Sequence, residues 1–117
     1  GAAFADVTAA AWGEGAWNRA PYPVAVGAAA AVHAIPLAET LAVFLQAFVS
    51  NLVSASVRLV PLGQTEGARI VAGLLPRCLA VASDAEGSTL DDIGGIALGA
   101  DIASMRHETQ EVRLFRS

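Results

Sequence analysis

Apolar residues along most of the chain recur at intervals of three and four, the period of a helix, and no stretch alternates as a strand would. The clearest run is Leu37 to Val60. At about 100° per residue, Leu37, Leu41, Phe44, Leu45, Phe48, Leu52, Ala55 and Leu59 share one face, with Glu39, Thr40, Gln46, Ser50, Asn51, Ser54 and Arg58 on the other. Pro36 opens this helix. Pro61 stops it, because proline lacks the amide that continuation needs and disfavours helical geometry in the residue before it. Gly63 suits the left-handed turn that closes many helices, and Thr65 is placed to cap a second helix with Glu66 near its positive end. The pattern therefore predicts a helical hairpin with arms at 37–60 and 65–85.

The flanks read as shorter helices. Phe4 to Trp17 is the end of a helix followed by a loop, and RAPYP (19–23) is a turn that restarts the chain. Residues 24–35 form a helix apolar all round, which predicts a place inside the bundle. Trp12, Trp17 and Tyr22 are assigned to core and edge packing. In the second arm, Ile70, Leu74, Leu75 and Leu79 are expected toward the core, and Pro76 is expected to kink or interrupt the helix. SDAEGST (83–89) is a loop, after which Ser88 or Thr89 caps a helix at 89–98, with Asp91 and Asp92 offsetting the dipole in its first turn. A last helix spans 101–110, with Asp101 as its cap. Val43, Ala47 and Val57 interrupt the polar side of the long helix, so that side is expected to be covered by another helix.

Composition changes this picture in one respect. At 117 residues the chain is at most one domain, yet 55% of it is hydrophobic and only 15% charged, more apolar than a free-standing surface requires. A partner covers a large face, or part of the fold lies elsewhere; the chain opens at Gly1 without a methionine and is read as a fragment lacking upstream helices. The polar stripe ending in Arg58 argues against a membrane span for 37–60, and Gly1 to Ala11 lacks the charged start of a signal peptide.

Charge and candidate chemistry exclude more than they assign. All seven basic residues are arginine, so lysine-dependent phosphate loops, Schiff bases and lysine general bases are excluded. A net charge of −4 without a basic cluster argues against nucleic-acid binding. Cys78 is alone, which rules out an internal disulfide and a multi-cysteine zinc site. His107 and Glu108 begin like a helix-borne zinc motif, but Glu111 stands where the second histidine is required. His33, isolated in an apolar segment, reads as a packed, hydrogen-bonded histidine. No catalytic residue and no metal ligand is assigned.

Two blocks point to a family. VRLVPLGQTEG (57–67), taken with the tail DIASMRHETQEVRLFRS (101–117), resembles the urease accessory protein UreF. The resemblance implies an all-α fold, here a bundle of about five helices forming part of a larger helical protein. It also implies a cytoplasmic, non-catalytic chaperone for urease maturation. Family members hold together UreD (also called UreH) and the GTPase UreG, and the complex delivers nickel to apo-urease. Nickel and GTP are then handled by the complex and not bound as cofactors by this chain, which is expected to form a homodimer. By position, the partner-binding residues carried over are Arg58, Gln64, Arg106, His107, Glu108, Arg113, Phe115 and Arg116. Glu111 and Val112 depart from the family pattern, in which an aromatic residue often stands near this place. In VRLFRS, an aromatic group between arginines on a segment too short to fold alone reads as a docking peptide. Two other readings stand beside this one: a helical structural or interaction domain unrelated to urease, and an enzyme using His107 and Glu108 as an acid–base pair.

Overall fold

The computed structural model describes residues 1–13, 20–60, 62–95 and 97–108, at His107 and Glu108 the backbone alone. Five helices follow in order: α1 (Ala2–Trp12), α2 (Tyr22–Val32), α3 (Leu37–Leu59), α4 (Gln64–Glu86) and α5 (Leu98–Glu108), with one 3-10 turn at Leu90–Asp92. There is no strand among the described residues, as the periodicity requires. Trp17 and the end of the last predicted helix lie outside them.

The hairpin is the body of the fold. Val60 takes an extended conformation and ends α3, as its place before Pro61 predicts. α4 starts one residue early, at Gln64. Gly63 is extended (φ −72°) and not left-handed, and no side chain caps the helix, so Thr65 sits inside the first turn instead of closing it. α4 also runs on through Pro76. The proline is exposed, as is Ala72, whose carbonyl loses its partner, so water can satisfy the freed group.

α3 and α4 pack along a seam of small residues. Gly67, Cys78 and Ala82 are buried on α4, and a methyl group at Gly67 would stand 2.9 Å from Val57 Cγ2 and 3.4 Å from Val53 Cγ1. The start of one helix thus lies against the end of the other. Val57 is covered by α4, which explains one apolar interruption of the polar side of α3. The leucines behave otherwise than expected: Ile70, Leu74, Leu75 and Leu79 flank the seam and are exposed to solvent, because close approach selects small groups at the contact line.

α1 and α2 form a second, smaller layer. α1 closes at Gly13, whose φ of +83° is the left-handed geometry that glycine accepts. Between α1 and α2 the buried residues are Ala5, Thr8, Ala25, Ala29 and Ala30. The Thr8 hydroxyl donates to the Phe4 carbonyl at 2.8 Å, so its burial leaves no polar group unsatisfied. α2 joins α3 through a tight left-handed closure. The Ile35 amide donates to the Ala30 carbonyl (2.9 Å) and the Ala34 amide to that of Ala31 (3.1 Å), with Ala34 itself at φ +53°.

Two expectations fail nearby. The helix expected at 89–98 is only a 3-10 turn; the Thr89 amide and hydroxyl both donate to Asp92 Oδ2 at 2.8 Å, but Gly94 and Gly95 favour no continuation. α5 instead starts at Leu98, which places Asp101 in its first turn and not at its cap.

The core is thin. Among the described residues no large side chain is fully buried, and the buried apolar ones are five alanines and Cys78. The radius of gyration is 16.5 Å, where a compact chain of this length has about 13 Å. The apolar face of α3 is open: Leu37, Phe48, Leu52 and Leu59 are each more than half exposed. α3 is by length and composition apolar enough to cross a membrane. It nevertheless carries Glu39, Gln46, Asn51 and Arg58 and serves as one arm of the hairpin.

Candidate partner-binding surface

The residues assigned to partner binding fall into two groups. Arg58 lies in the last turn of α3 and Gln64 is the first residue of α4, so the turn of the hairpin brings both to the same end. Both are exposed. A cation near a helix C-terminus faces the negative end of the dipole, which favours Arg58 where it stands. The neighbouring Glu66–Arg69 pair, at 3.6 Å and exposed, adds a charged patch of little energetic weight.

The second group is on α5. Arg106 is exposed, and His107 and Glu108 are the last two residues of the helix. Among the described residues, α5 packs against none of α1 to α4. The structure therefore does not assemble the two groups into one surface through helix packing. Arg113, Phe115 and Arg116 lie outside the described residues. The acid–base reading of His107 and Glu108 rests on side chains that lie outside the described ones. No three His, Cys, Asp or Glu side chains lie together among the described residues.

Sequence reasoning misses the cleft between α1, α2 and α3. It has a volume of about 670 Å³ and is walled by Phe4, Thr8 and Trp12 of α1, Tyr22 and Val26 of α2 with His33 just after it, and Val43, Phe44 and Ala47 of α3. Tyr22 is its hinge point. Its ring meets Phe4 edge-on at 5.4 Å and lies tilted against Phe44 at 5.8 Å, so one aromatic group ties the two layers together. His33 is not packed inside: it is exposed and its ring meets Trp12 at 5.9 Å. The signal is present in Val43 and Ala47, the apolar interruptions of the α3 polar side. They face α1 and α2 across the opening.

The Thr89 amide and, secondarily, its hydroxyl hold the Asp92 carboxyl below the usual aspartate range by bonding its charged form.

Comparison with known proteins settles the family. The UreF family model matches residues 1–75, which takes in α1, α2, α3 and the hairpin turn. The chain belongs to the UreF family. Over its full length it is 53% identical to the urease accessory protein UreF of Cereibacter sphaeroides (strain ATCC 17023) and covers 55% of that protein. It is 52% identical to the UreF of Bradyrhizobium diazoefficiens, covering 52% of it, and 48% identical to that of Rhodopseudomonas palustris (strain BisB18), covering 52%. The chain thus spans about half the length of the curated UreF relatives it matches. No solved structure matches it. α5 and the tail lie beyond the span of the family model but within the full-length matches to these UreF proteins.

Proposed function

We infer that this chain serves urease maturation as a non-catalytic accessory protein, bridging a UreD/UreH-type partner and the GTPase UreG while nickel passes to apo-urease. The observation that carries this reading is the identity of about half, along the whole chain, to proteins named urease accessory protein UreF. Nickel is cargo of the assembly and GTP belongs to UreG; the chain works in the cytoplasm, as a homodimer. The exposed Leu74, Leu75 and Leu79 of α4 suit a protein that acts by binding others. Arg58 and Gln64 offer one contact at the hairpin turn, and Arg106, His107, Glu108, Arg113, Phe115 and Arg116 offer the other.

Phe115 is the anchor of that second contact, with Arg113 and Arg116 beside it. Aromatic and arginine side chains dominate interface hot spots, where truncation removes about 2 kcal/mol or more, a loss of roughly 30-fold in affinity. The test is co-purification with UreD and UreG, together with urease activation in cells lacking their own UreF, using a UreF protein that carries this segment. Wild-type protein restores activation, and Phe115→Ala loses partner capture with unchanged helix content. Intact capture and activation after deletion of Leu114 to Ser117 would sink the tail contact. Failure of the wild-type protein to activate urease would sink the whole reading.

A further inference from the structure

The largest unexplained feature is the open face of α3. Leu37, Leu41, Phe44, Phe48, Leu52, Ala55 and Leu59 follow one another in steps of four and three, the spacing by which one helix receives another. Over 23 residues this seam is about 34 Å long. α4 does not occupy it, and the α1–α2 layer reaches it only at Phe44, where Tyr22 lies at 5.8 Å. α4 uses the Val53–Val57 side, and the cleft uses the Val43–Ala47 side.

We propose that this seam is an internal core line of the UreF fold, and that its occupant is a helix from the half of the UreF polypeptide that this chain does not span. Three observations converge. The seam is uncharged and helix-periodic, which fits a packed helix and not a polar rim. The solvent-accessible surface is 9071 Å², against about 6,000 Å² for a folded chain of 11.9 kDa. The excess is shared by the open face of α3, the exposed leucines of α4 and the unpacked α5, and its size, several times the roughly 800 Å² of one side of a standard interface, fits a missing layer of the fold better than a single docking patch. Finally, the relatives possess about as much polypeptide again as this chain, enough to supply the missing layer. The inference goes beyond the role in urease maturation and does not depend on it.

The test compares two proteins, each with Cys78→Ala and Leu52→Cys. One is this chain. The other is the Bradyrhizobium diazoefficiens relative at full length, with its matching segment replaced by this chain. Leu52 is exposed here, so the new thiol reacts at once with a maleimide in the 117-residue chain. In the chimera it reacts roughly 100-fold slower or more, since the reagent then waits for local opening. This slowing is independent of protein concentration. Fast labelling in the chimera overturns the proposal. So does protection that appears only where light scattering reports dimers, which assigns the seam to a second copy, or only with phospholipid vesicles, which assigns it to a membrane. Hydrogen exchange on the unsubstituted pair tests the same point without a cysteine: α3 amides slow in the chimera, or the idea fails.

Discussion

Gly67→Ala puts the close approach of α3 and α4 to a direct test. Two effects oppose each other. Alanine is the better helix former by about 1 kcal/mol at an ordinary helical position. Against this, the added methyl would lie 2.9 Å from Val57 Cγ2, a distance that real Cβ atoms do not keep. Valine cannot easily turn away, because its branched Cβ leaves few rotamers, and overpacking of this kind costs about 1–3 kcal/mol. The clash therefore wins, and the single substitution destabilises by up to about 2 kcal/mol. Removing the obstructing methyl reverses the sign: in a Val57→Ala background, Gly67→Ala stabilises by about 1 kcal/mol. The assay is urea denaturation of the four proteins of the cycle by far-UV circular dichroism, with equal m values as the condition for comparing them. An identical effect of Gly67→Ala in both backgrounds would refute the packing of α4 on α3.

Other expectations follow from single positions. Ala34→Gly stabilises by about 0.5–1 kcal/mol, because it relieves the roughly 1–2 kcal/mol of a left-handed alanine and returns less than that in unfolded-chain freedom. Ala31→Gly on the exposed side of α2 should do the opposite, and equal destabilisation by the two would refute the left-handed closure. The Asp92 carboxyl is held low, so its contribution to the 3-10 turn is complete above the ordinary aspartate value of 3.8 and fades as pH falls through the lowered one. An NMR titration of the Thr89 amide reads this directly, and a midpoint at or above 3.8 counts against it.

Much of the architecture is legible in the sequence, and the misses share a cause. The ends of α3 follow from Pro36 and Pro61, which act locally through missing amides and steric clash. Local chemistry also places Thr89 and Asp92 together. It cannot sustain a helix through Gly94 and Gly95, where no side chain repays the lost backbone freedom. Helical periodicity identifies the apolar face of α3 correctly. What periodicity lacks is any statement of what covers a face, so a strong stripe reads as the core of this chain. On α4 the leucines look like the core by hydrophobicity alone. The actual contact is made by Gly67, Cys78 and Ala82, since helix separation is a tertiary quantity. For the candidate surface, the motif locates Arg58 and Gln64 on the hairpin turn. It says nothing of the cleft, which depends on Tyr22 meeting residues far away in sequence.

The separation of α5 from the bundle has a consequence for how a partner is caught. Eleven residues, 87–97, link Glu86 to Leu98, a contour of at most about 36–40 Å. A binding element on such a tether is held near its target once the bundle has engaged elsewhere, and a second contact then forms at millimolar effective concentration. If the proposed contacts at the hairpin turn and on α5 are both made, weak binding at each would in this way add to tight capture while each alone releases readily. Lengthening the tether by two residues leaves the hairpin untouched and extends this reach by about 7 Å.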